Sequence, residues 1–301
     1  MVSVSAAHSS PAPRLAPEAL QFDANKAWSH LIAQCAFGPR VPGTEAHLKC
    51  RDWIFETMKA SCDNVRLQPF DHLWSQTGKK VSMWNILGEQ NWKDAKVRVV
   101  LAAHWDSRPY ADQDPKDINR LKPVLGANDG ASGVAVLLEL MRVLKDRHPD
   151  LGILYFMTDG EDLGPELDEM FLGARAFMKD LGKPKPDYGI LIDMVGSKNL
   201  RIPMEMNSFR YAEPLVRAFY AHAQKVAPKT FPQVYGQMVE DDHIPMNEGG
   251  LRTMDLIDFN HLDHWHTATD TPENCSPDSL KAVGQTLESW LTQTPPWIFK
   301  D

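Results

Sequence analysis

The chain has 301 residues, of which 43% are hydrophobic, and its 40 acidic and 32 basic side chains give a formal net charge of −8. This length and apolar content suffice for a domain with a sizeable core, which excludes wholesale disorder. An acidic chain without a Lys/Arg-rich run lacks the basic footprint that nucleic acids and anionic membranes require. No apolar stretch approaches the roughly 20 residues that cross a bilayer, so we expect no membrane span.

The N-terminal segment differs in composition from the rest of the chain. Met1 to Pro17 are rich in Ala, Ser and Pro and contain no apolar run of the signal-peptide type. We therefore expect residues 1–20 to form a disordered lead-in. No linker or internal repeat divides the chain after this segment, which favours a single domain over residues 21–301.

The four cysteines exclude two kinds of site. None of them forms a Cys-x-x-Cys pair, so the sequence contains neither a thiolate zinc ribbon nor a thioredoxin-like motif. Cys35, Cys50 and Cys62 lie close together in sequence, and one disulfide among them stays open alongside three free thiols. The compartment cannot be read from this cysteine content.

Three helices are predicted from apolar periodicity and end signals. An amphipathic helix carries Leu48 to Met58 and follows the turn-forming stretch Gly38 to Gly43. Ala131 to Leu144 is apolar nearly all round and is predicted to be a buried helix. The last helix is capped by Ser276 and has Pro277 at its first position.

Short apolar runs between these helices predict strands. Residues 97–103, 152–157 and 189–192 are apolar and rich in β-branched residues, as in strands that are covered on both faces. A more mixed run over residues 253–259 predicts a fourth strand. Strands that alternate with helices indicate a twisted, largely parallel α/β sheet with helices on both faces.

Each predicted strand is followed by acidic residues or histidines. Ligands of such sheets bind beyond the carboxyl ends of the strands, so these side chains are predicted to meet in one crevice. Carboxylates that lie this close repel one another unless protons or a cation hold them together. Mixed oxygen and imidazole ligands suit zinc, and they would come from separate loops because no His-Glu-x-x-His pair is present. The side chains in question are those of His104, Asp106, Asp129, Asp159, Glu161, Asp162, Asp193, His261, His264 and His266.

Six short motifs, taken in order, resemble the glutaminyl cyclases, the glutaminyl-peptide cyclotransferases built on the zinc aminopeptidase fold. The resemblance runs from about Phe37 to Leu291, and its last two motifs favour the cyclases over aminopeptidases at large. It implies a three-layer α/β/α sandwich with a mixed, mostly parallel central sheet. The motifs are His104-Trp-Asp106, Gly126-Ala-Asn-Asp129, Asp159-Gly-Glu161-Asp162, Leu191-Ile-Asp193-Met-Val-Gly196, Glu240-Asp241-Asp242-His243-Ile-Pro245 and Trp265-His266-Thr-Ala-Thr-Asp270-Thr.

The resemblance also implies a reaction and a metal. The family converts an N-terminal glutaminyl residue of a peptide or protein to pyroglutamyl and releases ammonia. By resemblance, one Zn²⁺ per chain is bound, and one glutamate next to a metal ligand serves as general base and acid. An acidic pair completes the proton network, and an aromatic side chain forms a wall of the substrate pocket. The residues so assigned are Asp129, Asp162 and His266 for zinc, Glu161 as base and acid, Asp193 and Asp241 as the acidic pair, and Trp265 as the wall.

Three departures from the animal-type pattern concern the metal and the substrate pocket. Asp162 stands where the animal-type cyclases have glutamate, and Asp255 stands where they have a pocket histidine. The tryptophan that follows their catalytic base has no counterpart between Leu163 and Leu172. The chain therefore looks like a bacterial form. The resemblance suggests a secreted or periplasmic enzyme. We expect the chain to be a monomer.

Several polar residues and one tryptophan have competing interpretations. We interpret His104 as a structural or hydrogen-bonding histidine, although in aminopeptidases this position binds a second zinc ion, and Asp106 as the residue that orients it or a loop. His243 is predicted to satisfy loop backbone. The remaining interpretations are loop-surface positions for His261 and His264, and either pocket lining or strand packing for Trp105.

Two other functions compete with the cyclase. One is a two-zinc aminopeptidase in which His104 and Asp193 ligate a second metal ion. The other is a binding protein that inherited the fold without activity. The presence of Glu161 disfavours the binding protein, because binding alone needs no general base.

Overall fold

The computed structural model describes residues 19–147 and 150–293. The predicted lead-in therefore lies almost entirely outside the described residues, and the domain boundary after residue 20 stays a prediction. Helices and strands alternate through the described part. The α-helices are α1 (Ala24–Ala36), α2 (Glu45–Lys59), α3 (Ala131–Leu144), α4 (Leu172–Lys179), α5 (Met206–Val226), α6 (His243–Glu248) and α7 (Pro277–Gln293). The strands are β1 (Asn64–Trp74), β2 (Lys79–Gln90), β3 (Val97–His104), β4 (Leu151–Thr158), β5 (Tyr188–Asp193) and β6 (Thr253–Ile257).

The six strands form one mixed sheet in the order β1-β2-β4-β3-β5-β6. β3 pairs in parallel with β4 and β5, and β5 pairs in parallel with β6. β1 and β2 form an antiparallel hairpin that joins the sheet along β4. The predicted mixed, mostly parallel sheet is confirmed, and β3 to β6 are the four strands expected from the apolar runs.

Helices cover both faces of the sheet and complete the predicted three layers. Alternate residues of a strand point to opposite faces, so Val99 and Leu101 of β3 pack with α1, α2, α3, α5 and α7. Val100 and Ala102 of the same strand pack with α4 and α6 on the other face. This two-sided burial explains why the central strands are continuously apolar.

Helix α3 brings the candidate site close to the sheet. Of its 14 residues all except Arg142 are buried, which confirms the predicted core helix. A Cβ atom at Gly133 would lie 2.2 Å from the carbonyl oxygen of Ile192 in β5. Only glycine allows so close an approach, and the loop that precedes α3 is thereby placed against the end of β5.

The last helix that the structure describes begins where the sequence predicts. Helix α7 begins at Pro277, and the Ser276 hydroxyl accepts a hydrogen bond from the Asp278 amide at 3.2 Å, as expected of a cap.

All four cysteines are unpaired, so the disulfide alternative is not realised. Within residues 19–147 and 150–293, no helix has the length and apolar character of a membrane span.

Candidate metal centre and active site

The predicted crevice forms at the carboxyl ends of the parallel strands. β3 ends at His104, β4 is followed by the loop with Glu161 and Asp162, and β5 ends at Asp193. The loop before α3 supplies Asp129, while longer loops before α6 and after β6 bring Asp241 and His266. All of these side chains are buried, with at most 7% of their surface exposed.

Asp129, Asp162 and His266 form a group that fits a metal ion. His266 Nε2 lies 3.3 Å from Asp162 Oδ1 and 3.6 Å from Asp129 Oδ2. Two carboxylates and one imidazole that converge from three loops match the ligand types and the open fourth position of a catalytic zinc site. The donor set of the described residues therefore suits zinc, as the resemblance implied.

His104 completes a second group that shares Asp129. Its Nε2 lies 3.0 Å from Asp129 Oδ1 and 3.1 Å from Asp193 Oδ1. Burial by itself lowers the pKa of His104, but the carboxylates of Asp193 and Glu161 outweigh burial and raise this pKa well above its ordinary value. These contacts fit the predicted hydrogen-bonding role of His104 and the alternative role of a metal ligand alike. Its partners are also the ligands that a second metal ion would use.

The two neighbouring carboxylates after β4 differ in their electrostatics. Burial, reinforced by Asp162 and Asp241, raises the pKa of Glu161 well above its ordinary value against the opposing effect of His104. Burial also disfavours the charge on Asp162, but His266 and Arg108 outweigh burial and lower the pKa of Asp162 to about 2. The pair thus combines one carboxylate that stays ionised with one that holds a proton more readily than an ordinary glutamate.

Asp106 holds the loop that carries Glu161 and Asp162 in place. Its two carboxylate oxygens accept hydrogen bonds from the backbone amides of Glu161 and Asp162 at 3.3 and 3.2 Å. Its Oδ1 also lies 3.5 Å from Nδ1 of His104. Both parts of the expected role, orienting the histidine and orienting a loop, are therefore consistent with its contacts.

Asp193 and Asp241 line the same cavity as Glu161. Burial raises the pKa of both carboxyls; neighbouring acids add to this effect at Asp241, whereas His104 opposes it at Asp193. Asp193 accepts a hydrogen bond from the Met194 amide at 2.7 Å, and Asp241 accepts one from the Asp242 amide at 2.5 Å. Two acids with raised pKa values in the same cavity as Glu161 form a site that can hold protons.

The prediction for His243 was wrong. The side chain is fully buried, but it faces carboxylates rather than loop backbone. Its Nε2 lies 3.2 Å from Glu205 Oε2 and its Nδ1 lies 3.8 Å from Asp255 Oδ2. Glu205 precedes α5, far from His243 in sequence, so no local pattern indicated this pairing. Asp255 is buried behind the crevice, on β6.

The substrate-sized space in front of these acids is a cavity of about 360 Å³. The Trp265 ring stacks on the His266 ring with centroids 3.9 Å apart, and Phe259 packs edge-on against Trp265 at 5.3 Å. Trp265 therefore lies where the predicted aromatic wall should be. The charged and aromatic residues that line the cavity are Arg108, Asp112, Asp129, Glu161, Phe171, Asp193, Glu240, Asp241, Phe259, Trp265 and His266.

Three other predicted positions are resolved by the structure. Trp105 is fully buried and stacks on His47 with centroids 4.3 Å apart, so it packs beside the strand rather than lining the cavity. His261 is exposed and His264 partly exposed, as expected of loop-surface residues. The His261 ring bonds the Asp258 carboxylate, with Nδ1 at 2.8 Å from Oδ2.

Sequence reasoning missed Arg108 and Asp112. The Arg108 guanidinium bonds Asp162 Oδ1 at 2.9 Å through Nη1 and Asp112 Oδ1 at 2.9 Å through Nε. The position of Arg108 directly after the His104-Trp-Asp106-Ser segment was the one available signal. Its partner across the crevice could not be read from the sequence, because Asp162 is 54 residues away.

Comparisons with known proteins agree with the geometry. The sequence pattern of peptidase family M28 matches residues 85–291. The glutaminyl cyclase of Bacteroides thetaiotaomicron bound to N-acetylhistamine is 34% identical, with a TM-score of 0.87 over 91% of this chain and 99% of that chain. A Zn-dependent exopeptidase from Parabacteroides distasonis is also 34% identical, with a TM-score of 0.86 over the same shares of the two chains.

A more distant relative comes from animals. The glutaminyl-peptide cyclotransferase of Bos taurus is 25% identical over 290 residues, which cover 84% of this chain and 78% of the bovine protein. The match therefore extends across nearly the whole described domain and well beyond the site residues. The chain belongs to peptidase family M28 and, as its motifs predicted, resembles the glutaminyl cyclases of that family in sequence and structure.

Proposed function

We propose that this chain is a zinc-dependent glutaminyl-peptide cyclotransferase that acts on peptides or proteins with an N-terminal glutamine. The observation that carries the proposal is the lining of one small cavity. It is lined by residues that suit a zinc ion, by a glutamate that can take up and release a proton, and by an aromatic side chain. The likeness to bacterial and animal glutaminyl cyclases supports the same reaction. One zinc ion per chain and a monomeric, secreted or periplasmic enzyme are parts of the proposal.

Asp129, Asp162 and His266 would hold the zinc ion. What zinc supplies at such a site is polarisation of the substrate's γ-carbonyl and stabilisation of the negative charge that develops on its oxygen. Asp162 is one methylene shorter than the glutamate of the animal-type enzymes. Its low pKa, set by His266 and Arg108 against burial, keeps it available as an anionic ligand at neutral pH.

Glu161 carries the proton in this mechanism. The neutral α-amine of the substrate attacks the carbonyl carbon of its own side-chain amide, which forms the ring C–N bond. Glu161 takes a proton from the attacking nitrogen and gives one to the departing amide nitrogen, so the C–NH₂ bond breaks and ammonia leaves. The raised pKa of Glu161 suits a group that must both accept and donate.

The remaining cavity residues position the substrate and buffer the proton. Asp193 and Asp241, with raised pKa values of their own, line the same cavity and would take part in the proton network with Glu161. Trp265 offers a flat apolar face to the glutamine side chain. Since nucleophile and electrophile belong to the same residue, a pocket that holds it in the folded-back conformation supplies much of the rate.

The alternative of a two-zinc aminopeptidase has one observation in its favour. His104, Asp129 and Asp193 are arranged so that a second ion could bind beside the first. The likeness to named glutaminyl cyclases in both sequence and structure weighs against it. Metal analysis of the purified protein separates the two: about one tightly bound zinc ion supports the cyclase, and two support the peptidase.

The direct test is a substrate panel. Ammonia release is measured with dipeptides that begin with glutamine, and release of free N-terminal amino acids is measured with dipeptides that begin with leucine or alanine. We expect ammonia from the glutamine dipeptides and no clipping of the others. Clipping of the panel without ammonia release would contradict the proposal.

A further inference from the structure

The two ring nitrogens of His266 face different groups. Nε2 faces the Asp129 and Asp162 carboxylates at 3.6 and 3.3 Å. Nδ1 is buried and makes no hydrogen bond within the described residues, although Asp112 Oδ1 lies only 3.6 Å from it. A buried imidazole N–H without an acceptor is costly, so this nitrogen requires a partner when Nε2 binds a metal.

Asp112 is held ready for that role by Arg108. The guanidinium contacts both carboxylate oxygens, with Nε 2.9 Å from Oδ1 and Nη2 3.3 Å from Oδ2. Hydrogen bonds from one guanidinium to both oxygens are the arrangement of an ionised carboxylate. Asp112 is therefore an anion at neutral pH and can only accept hydrogen bonds.

Arg108 also connects this carboxylate to the other side of the metal group. Its Nη1 donates to Asp162 Oδ1 at 2.9 Å, so one guanidinium spans Asp112 and Asp162. The side chain is largely buried, with 7% of its surface exposed. The planar fork of arginine suits such a bridge, because its nitrogens have fixed relative positions, unlike the single ammonium of lysine.

We propose that Asp112 is the positioning carboxylate of the zinc ligand His266, and that Arg108 couples it to the zinc ligand Asp162. Asp112 accepts the Nδ1–H of His266, which leaves Nε2 unprotonated and aimed at the metal. The 3.6 Å separation closes to an ordinary hydrogen bond through a small rotation of Asp112, whose side chain is about one-third exposed (36%) and has room to move.

This inference rests on the zinc site of the proposed function but not on the cyclisation reaction. Carboxylates that accept the second N–H of a metal-bound histidine fix the tautomer and raise the donor strength of the ring, and their loss typically weakens metal binding by about 10- to 100-fold. The inference concerns metal affinity and ligand geometry, which can be measured without any substrate.

The test compares Asp112→Asn with Asp117→Asn, the same substitution at an exposed position of the same loop. Zinc affinity is measured by competition with a chromophoric chelator, and the visible spectrum is recorded after loading with Co²⁺. We expect Asp112→Asn to bind zinc about 10- to 100-fold more weakly and to change the cobalt spectrum. Asp117→Asn should match the wild type in both.

Two further measurements separate positioning from folding. In EDTA, Asp112→Asn should still unfold in one cooperative transition, at a temperature lowered only by the loss of the ion pair with Arg108. Added zinc should raise the unfolding temperature less in Asp112→Asn than in the wild type, because the contact with His266 acts on the metal-bound histidine. Asp112→Glu, which keeps a carboxylate, should recover part of the lost affinity. Zinc affinity within twofold of the wild type together with an unchanged cobalt spectrum in Asp112→Asn overturns the inference. Failure of the wild type to bind zinc overturns the proposed metal site instead.

Discussion

Glu161 and Asp162 are adjacent in sequence, equally buried and oppositely shifted in pKa. The difference comes from their neighbours: Asp162 contacts the Arg108 guanidinium and His266, whereas Glu161 lies close to other acids. The sequence shows only two adjacent acidic residues, so it cannot reveal that their pKa values shift in opposite directions. Environment, rather than residue type, supports assigning one carboxylate to the metal and the other to the proton.

Replacing the base should separate catalysis from metal binding. In Glu161→Gln the side chain keeps its size but cannot accept a proton, so we expect the rate of ammonia release to fall by about 10²- to 10⁴-fold. Zinc content should stay at the wild-type level. Glu166→Gln, an exposed position on the same loop, serves as the control for loss of an acid. A turnover close to the wild type in Glu161→Gln would remove this residue from the mechanism.

Removing the imidazole ligand should abolish zinc binding as well as catalysis. We expect His266→Ala to lose zinc during dialysis and to lose activity with it, because two carboxylates alone hold zinc weakly. His264→Ala, two residues earlier and partly exposed, should keep both. Zinc content by mass spectrometry is the readout. Full zinc and full rate in His266→Ala contradict the ligand assignment.

The elements that carry these residues could be predicted to different extents. Strands β3, β4 and β5 and helix α3 were located because burial on both faces makes them largely apolar. Strand β6 was located from a more mixed run, which contains Asp255. The β1–β2 hairpin was not located, because its half-exposed strands alternate polar and apolar residues and carry many charges. Site residues at strand ends followed from topology, whereas the Arg108–Asp162 and His243–Glu205 contacts depend on how long loops fold.

The close packing of α3 on β5 predicts a stability effect. Gly133→Ala places a methyl group 2.2 Å from a backbone carbonyl oxygen that cannot move freely, so we expect the free energy of unfolding to fall by about 2 to 3 kcal/mol. Gly182→Ala, where nothing lies within 4 Å, is the matched control. Urea denaturation measures both. A loss below about 0.5 kcal/mol at Gly133 contradicts the packing described.

Across the whole molecule, most of the excess negative charge is ordinary surface charge, but several acids are buried together. Burial with neighbouring acids raises the pKa of Asp242 and Asp270 to about 7, and that of Glu161 and Asp241 well above its ordinary value. Metal-free folded protein thus binds more protons than the unfolded chain. A cation at the site replaces those protons as the compensating charge.

This distribution predicts how stability depends on pH. Because these folded-state pKa values are raised, the stabilisation is full below the unfolded carboxylate pKa of about 4 and is lost as pH rises through the folded values, which are about 7 for Asp242 and Asp270. In EDTA we expect the Tm to fall by on the order of 5 °C between about pH 5 and about pH 8. Zinc should raise the Tm most at the alkaline end. A Tm in EDTA that is constant or rises with pH contradicts this account.

In the proposed reaction, the cavity closes a glutamine side chain on its own amine instead of hydrolysing a peptide bond. The most direct measurement follows one peptide with N-terminal glutamine by mass spectrometry after incubation with the zinc-loaded protein. We expect a product that has lost one ammonia and kept all its residues, and no such product with Glu161→Gln. A product that lacks the whole N-terminal residue would contradict it and identify the protein as an aminopeptidase.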